Sequence, residues 1–285
     1  MHTRNNLLIV ALLALNACAA TGQKFDSPPG YDFSKPETST MPAQLAEISG
    51  IAFFPGRADQ LYAIQDEDGK LFFWKNGDPA SMQHLDFGKH GDYEDLAITS
   101  KHIIVLESNG DLHVFPNEPL QAGSSVQTAV YKGLLPPGEY ESLYADVAAG
   151  QLYVLCKQCK DDKQTQATTG YILNIDSTGR PTLDRAFSIA INGPSKGKPG
   201  KVTPLRPSAV TFNQATGEWY LLSGVHKMLI IADKDWKAKQ VIPLDPALFT
   251  QPEGIATDID NNLYISNEAG NSDAGTVIRF RRSKP

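Results

Sequence analysis

Asp92-Tyr93-Glu94-Asp95-Leu96-Ala97 is one of five related hexamers in this chain of 285 residues. The others are Glu47-Ile48-Ser49-Gly50-Ile51-Ala52, Glu139-Tyr140-Glu141-Ser142-Leu143-Tyr144, Arg206-Pro207-Ser208-Ala209-Val210-Thr211 and Gln251-Pro252-Glu253-Gly254-Ile255-Ala256. Their third positions, residues 49, 94, 141, 208 and 253, are separated by 45, 47, 67 and 45 residues. A second apolar run follows each copy, such as Leu61-Tyr62-Ala63-Ile64 or Leu263-Tyr264-Ile265-Ser266, and then a third, such as Leu71-Phe72-Phe73-Trp74 or Thr276-Val277-Ile278-Arg279-Phe280. The runs are short, β-branched and aromatic. Turn residues separate them: Asp68-Gly69, Asn109-Gly110, Ala149-Gly150, Thr216-Gly217 and Asp260-Asn261-Asn262. That is strand chemistry punctuated by hairpins. A sustained helical period is missing, and one helical turn is expected at Asp245 to Phe249.

Repeats of about 40–50 residues with about four strands each are β-propeller blades. The expected fold is all-β, a five-bladed propeller over residues 43–285, with six blades as the alternative. The long third interval is assigned to polar insertions at 157–169 and 192–204 and not to a sixth blade. Gly193 to Lys198 reads there as a basic loop, because the spacing and strand-to-helix context of a phosphate loop are missing. Pairing the arm at 28–42 with the last blade would close the ring.

Residues 1–17 read as a secretory signal: Arg4 in a polar start, then an apolar run from Leu7 to Leu15, too short to span a bilayer. Leu15-Asn16-Ala17-Cys18 resembles a bacterial lipobox, which makes Cys18 the expected acylated residue and 18–42 a linker. A plain signal cut nearby is the alternative. In lipoproteins of this kind a residue other than Asp after the Cys, here Ala19, implies the outer membrane. The linker is rich in Pro, Ser, Thr and Gly, and Tyr31 and Phe33 are its residues suited to docking. The expected location is therefore the bacterial cell envelope, tethered to the lipid bilayer. Nucleic acid is excluded as a partner by the balance of 26 Lys and Arg against 32 Asp and Glu, net −6.

In a propeller the inner strand of each blade lines the central channel, and the third hexamer position falls near its start. Three copies put Glu there: Glu94, Glu141 and Glu253. Two carboxylates 4–6 Å apart repel by about 3–4 kcal/mol at an effective dielectric near 20, so protons or a hard cation must offset them. Calcium, with its 6–8 oxygen ligands, suits carboxylates from separate blades. Ser49 and Ser208 add neutral oxygens. Asp66, Glu67, Glu107, Asn267 and Glu268, after the second runs, form an expected second tier. The expected metal set is Glu94, Glu141, Glu253, Asp66, Glu107 and Glu268. The competing reading makes the Glu residues clamps on backbone amides.

Cys156-Lys157-Gln158-Cys159 admits a local disulfide, a redox pair, a zinc half-site or free thiols; an oxidising envelope favours the disulfide. The scattered histidines read as structural. GxSxG, HExxH and GxGxxG are missing.

Glu47 to Ala52, Gln65-Asp66-Glu67-Asp68-Gly69, Gly91 to Ala97, Gln251 to Ile255 and Leu263 to Glu268, in this order, resemble the SdiA-regulated (YjiK-like) propeller family over about residues 43–281. The resemblance implies a five-bladed propeller, an envelope location and a bound calcium ion, and it implies no reaction. The third-blade insertion departs from the shorter members. The function expected is a calcium-binding module for an envelope ligand or partner. The alternative is a metal-dependent hydrolase, lactonase- or phytase-like, with the ion as Lewis acid. A purely structural module is the third reading.

Overall fold

The computed structural model describes residues 25–194, 202–270 and 272–283. Cys18, the leader at 1–17 and the lysines at 196, 198 and 201 lie outside the described residues. Strand β1 (Glu37–Thr40) precedes blade one, which is β2 (Ile48–Phe53), β3 (Gln60–Gln65), β4 (Asp68–Lys75) and β5 (Gln83–His90). Blade two is β6 (Tyr93–Ile98), β7 (His102–Glu107), β8 (Leu112–Pro116) and β9 (Ala129–Tyr131). Blade three is β10 (Gly138–Asp146), β11 (Gln151–Cys159), β12 (Thr168–Ile175) and β13 (Pro181–Ile189), with helix α1 (Asp162–Thr165) between β11 and β12. A hairpin of β14 (Asn192–Pro194) and β15 (Val202–Pro204) leads into blade four: β16 (Ala209–Asn213), β17 (Glu218–Ser223), β18 (Met228–Ala232) and β19 (Ala238–Pro243). Blade five is β20 (Pro252–Thr257), β21 (Leu263–Asn267) and β22 (Thr276–Phe280), completed by β1.

The fold is thus a five-bladed propeller. The long interval between the third and fourth hexamers holds α1 and the β14–β15 hairpin, so it is insertion and not a sixth blade. Every blade is an antiparallel sheet with the hexamer on its innermost strand, and the inner strands touch in ring order, β2 to β6, β10, β16, β20 and back to β2. The ring closes by strand exchange. β1 pairs with β22, Glu37 opposite Arg279 and Thr40 opposite Thr276, so blade five takes its outer strand from the arm. An unpaired edge on β22 would otherwise invite association. Tyr31 and Phe33 wedge the arm between blades four and five: Tyr31 donates to the Asn261 carbonyl (2.7 Å), Asn213 Nδ2 donates to Tyr31 Oη (2.8 Å), and Phe33 packs on Phe280 and Phe249.

The core consists of five apolar wedges, one between each pair of neighbouring blades. Alternating side chains of each inner strand feed the two wedges beside it: Leu96 packs toward blade one and Ala97 toward blade three. Blades three and four are joined by an aromatic stack, with Trp219 and Trp236 ring centroids 4.2 Å apart and Phe187 on the far face of Trp236. Asp245 to Phe249 forms a single turn closed by Phe249 N–H donating to the Asp245 carbonyl (2.8 Å). Of the expected turns, Asp68-Gly69 differs: both residues open β4. A Cβ on Gly69 would lie 2.3 Å from the Gly88 carbonyl carbon, so this glycine permits close approach of β5 and makes no hairpin. Among the described residues no helix is long and apolar enough to cross a membrane.

Candidate functional site

The fourth hexamer position lies where neighbouring inner strands approach most closely in blades one, two and five. Its residues are Gly50, Asp95, Ser142, Ala209 and Gly254. The Asp95 carboxylate, fully buried, accepts the Leu96 N–H (2.8 Å) and, from the next blade, the Leu143 N–H (2.7 Å). A Cβ on Gly50 would sit 2.4 Å from Asp95 Oδ1, and one on Gly254 would sit 2.5 Å from the Ser49 carbonyl oxygen. Ser266 Oγ donates to that same Ser49 carbonyl (2.7 Å), and Ser208 Oγ donates to the Pro252 carbonyl (3.0 Å). These contacts stitch blade two to three, five to one and four to five. An amide clamp of the kind the competing reading gave to the third-position Glu residues is made by Asp95, one position later. Burial holds the Asp95 carboxyl far above the usual carboxylate range, opposed by its two amide donors.

The third position is where the inner strands bulge. In blade two Tyr93 faces Glu107 and Asp95 faces Leu106, which leaves Glu94 unpaired. Glu253 is skipped in the same way between Pro252 and Gly254, and Glu141 between Tyr140 and Ser142. Blade one carries an equivalent shift between Ile48 and Ile51. A bulge adds one residue, bends the strand and re-aims a side chain. Here it is the shared device that turns three glutamates out of the ladder.

The structure gathers Glu94, Glu253, Glu268 and Asp66 at this mouth. Burial raises the Glu94 carboxyl to about 8, with further push from Asp92, Glu253 and Asp66. Burial likewise takes Glu268 to about 8, reinforced by Glu253, Glu47, Asp66 and Glu94. Glu253 rises to about 7 through burial, partly relieved by Lys157 and Lys227. Asp66 rises to about 6 through burial and the nearby Glu47 and Glu67. Two other expected ligands are placed differently. Glu141 is buried and ion-paired with Lys157, whose Nζ is also 3.6 Å from Glu139. Glu107 turns to His113 (Oε1 to Nε2, 3.5 Å) and to Asn109.

Cys156 and Cys159 are joined in a disulfide, with Cα atoms 5.8 Å apart. Asp162 lies beside them, and among the described residues these three are the group whose metal-ligating atoms all fall within 4.8 Å of one another. Both sulfurs are bonded to each other, and the Asp162 carboxylate accepts Cys159 N–H, Thr169 N–H and Thr169 Oγ, so the group is a structural corner. Among the described residues, no three of the mouth carboxylates come within that distance of one another. Among buried polar atoms, Asp66 Oδ1, Glu141 Oε2 and Asn267 Oδ1 accept no hydrogen bond.

Three residues of the site escaped the sequence reading. Asp95 and Glu47 sit inside hexamers whose third position drew attention, and Lys157 lies between the two cysteines. A cavity of about 440 Å³ occupies the opposite mouth, lined by Ile51, Leu96, Leu143, Val210 and Ile255 together with bottom loops. None of the expected ion ligands lines it.

Residues 196–271 match the sequence model of the SdiA-regulated family, so the resemblance holds over that segment. No curated protein sequence matches the chain. Its fold is similar to that of glutaminyl cyclase from Myxococcus xanthus (TM-score 0.56, 15% identity, 87% of this chain and 94% of that one). It is also similar to the PQQ-bound aldose sugar dehydrogenase of Streptomyces coelicolor (0.52, 11%, 90% and 99%). A luciferin-regenerating enzyme is similar to the same degree (0.52, 10%, 88% and 98%). At these identities the likeness is one of fold.

Proposed function

We propose that this propeller is an envelope-anchored module whose acidic mouth binds calcium and, through it, an envelope ligand or partner. One observation carries the reading: burial, reinforced by neighbouring carboxylates at Glu94, Glu268 and Asp66, raises Glu94 and Glu268 to about 8, Glu253 to about 7 and Asp66 to about 6. A divalent cation relieves the same repulsion without protons. The donor set fits a hard cation, being all oxygen, with Asp66 Oδ1 and Asn267 Oδ1 buried and unpartnered. Four carboxylates from blades one, two and five would hold the ion. Calcium supplies charge neutralisation and a Lewis-acid centre when bound. The chain itself supplies the Asp95 clamp, which ties blade two to blade three beside the mouth.

The hydrolase reading keeps one supporting observation: a carboxyl at about 7, Glu253, is suited to general-base work at neutral pH. Fold likeness to enzymes adds nothing to it, because one fold hosts many chemistries. Elemental analysis of the purified protein, with calorimetric calcium titration after EDTA treatment, tests the proposal. Stoichiometric calcium lost in Glu253→Gln is expected; a wild-type protein without metal and without a calorimetric response ends it.

A further inference from the structure

Three steps along an extended strand carry Cα about 10 Å. Cys156 and Cys159 are three residues apart on β11, yet their Cα atoms are 5.8 Å apart. A straight strand cannot hold that disulfide, so the chain between them has to shorten. The ladder shows how: Cys156 faces Tyr140 and Gln158 faces Glu139, while Lys157 is left out as a bulge. On the opposite strand Glu141 is left out as well. The two bulged residues meet, and Lys157 Nζ forms an ion pair with Glu141 while standing 3.6 Å from Glu139. Its charge also reaches Glu94 and Glu253, across the mouth in blades two and five. Glu141 is 4% exposed and the Lys157 side chain 21%, so the pair is largely sheltered from solvent.

We infer that Lys157, held out of the ladder by the Cys156–Cys159 bridge, is the resident counter-ion of the blade-three sector and a specificity-determining residue of the mouth. It takes the place beside Glu141 that a metal ion would need. A divalent cation at the mouth therefore draws its carboxylates from blades one, two and five, with Glu141 excluded, and binds against the opposing charge of Lys157. The part concerning cations rests on the calcium reading above; the ion pair and the bulge do not.

The test uses the full-length chain at neutral pH, with calcium calorimetry and terbium luminescence as readouts. Lys157→Met is expected to tighten calcium binding by about tenfold or more, since a unit charge facing the ion is removed. Lys157→Arg restores the charge and is expected to return affinity to within about twofold of wild type. Glu141→Gln is expected to weaken calcium binding far less than Glu253→Gln does, and to reduce the gain seen in Lys157→Met. The double variant Cys156→Ala/Cys159→Ala, whose strand is free to straighten, moves affinity in the direction of Lys157→Met. Unchanged affinity in Lys157→Met overturns the inference, as does a Glu141→Gln loss equal to that of Glu253→Gln. Unchanged affinity in the cysteine double variant overturns the role of the bridge. Should neither wild type nor Lys157→Met take up cation, the calcium reading falls separately. The counter-ion is then decided by a thermal double-mutant cycle of Lys157→Met and Glu141→Gln without metal: a double variant more stable than the sum of the singles supports it, and strict additivity overturns it.

Discussion

Glu94→Gln should change the sign of its effect on stability with calcium. The Glu94 carboxyl stands at about 8 against an ordinary 4.5. Below pH 4.5 it is protonated in both folded and unfolded chains, and the stability linked to it is fully present. As pH rises toward 8 the unfolded chain releases the proton while the folded chain retains it, so the folded state loses ground throughout that window. Each pKa unit corresponds to about 1.4 kcal/mol, which makes the full displacement worth about 4–5 kcal/mol for an isolated site. The repulsion is shared with Glu253, Glu268 and Asp66, and the mouth is partly open to solvent. Removing one charge therefore recovers about 2 kcal/mol. For a domain of this size that is a gain of about 4–8 °C in Tm. In EDTA, differential scanning calorimetry should show Glu94→Gln above wild type by this amount at alkaline pH and level with it below pH 4.5. In excess calcium the order reverses, because wild type gains a bound ion that the amide holds poorly. A Gln variant no more stable than wild type in alkaline EDTA would show that neither burial nor neighbouring charge penalises the Glu94 carboxylate. An order unchanged by calcium would remove the ion.

Further outcomes follow from the contacts between blades and the proposed tether. Asp95→Ala strands the Leu96 and Leu143 amides in a buried site and should cost about 2–5 kcal/mol in denaturant unfolding; a loss within the noise of a surface substitution would deny the clamp. Gly254→Ala drives a methyl to 2.4 Å from Ser266 Oγ and 2.5 Å from the Ser49 carbonyl, and should lose about 1–3 kcal/mol with the ring contact between blades five and one. Deleting Glu37–Thr40 uncovers β22 and should produce aggregation visible by light scattering, whereas a monomer of unchanged Tm would mean that blade five closes without its fourth strand. Mass spectrometry of the wild type should show an acylated Cys18 that Cys18→Ala lacks, and an unmodified wild-type N-terminus removes the anchor.

The amino-acid order alone specified a propeller and favoured five blades over six, while the tertiary structure decided the count and paired the arm with the last blade. Hexamers at near-constant spacing, each followed by two apolar runs, specify a sheet whose faces must be buried by its neighbours, and only a ring does that for every copy. The docking residues Tyr31 and Phe33 were legible for the same reason, as apolar side chains in a polar arm. Local pattern could not say which position of the hexamer does what. Glu94, Glu141 and Glu253 look equivalent in the text, and all three are bulged. Yet Glu141 is neutralised by Lys157, Glu107 is turned to His113, and the amide clamp falls to Asp95. Those differences depend on which charges from other blades face each carboxylate. Coulomb interactions act through space over several ångströms, so they are decided by how five blades meet around one axis, far from each residue's neighbours in the chain.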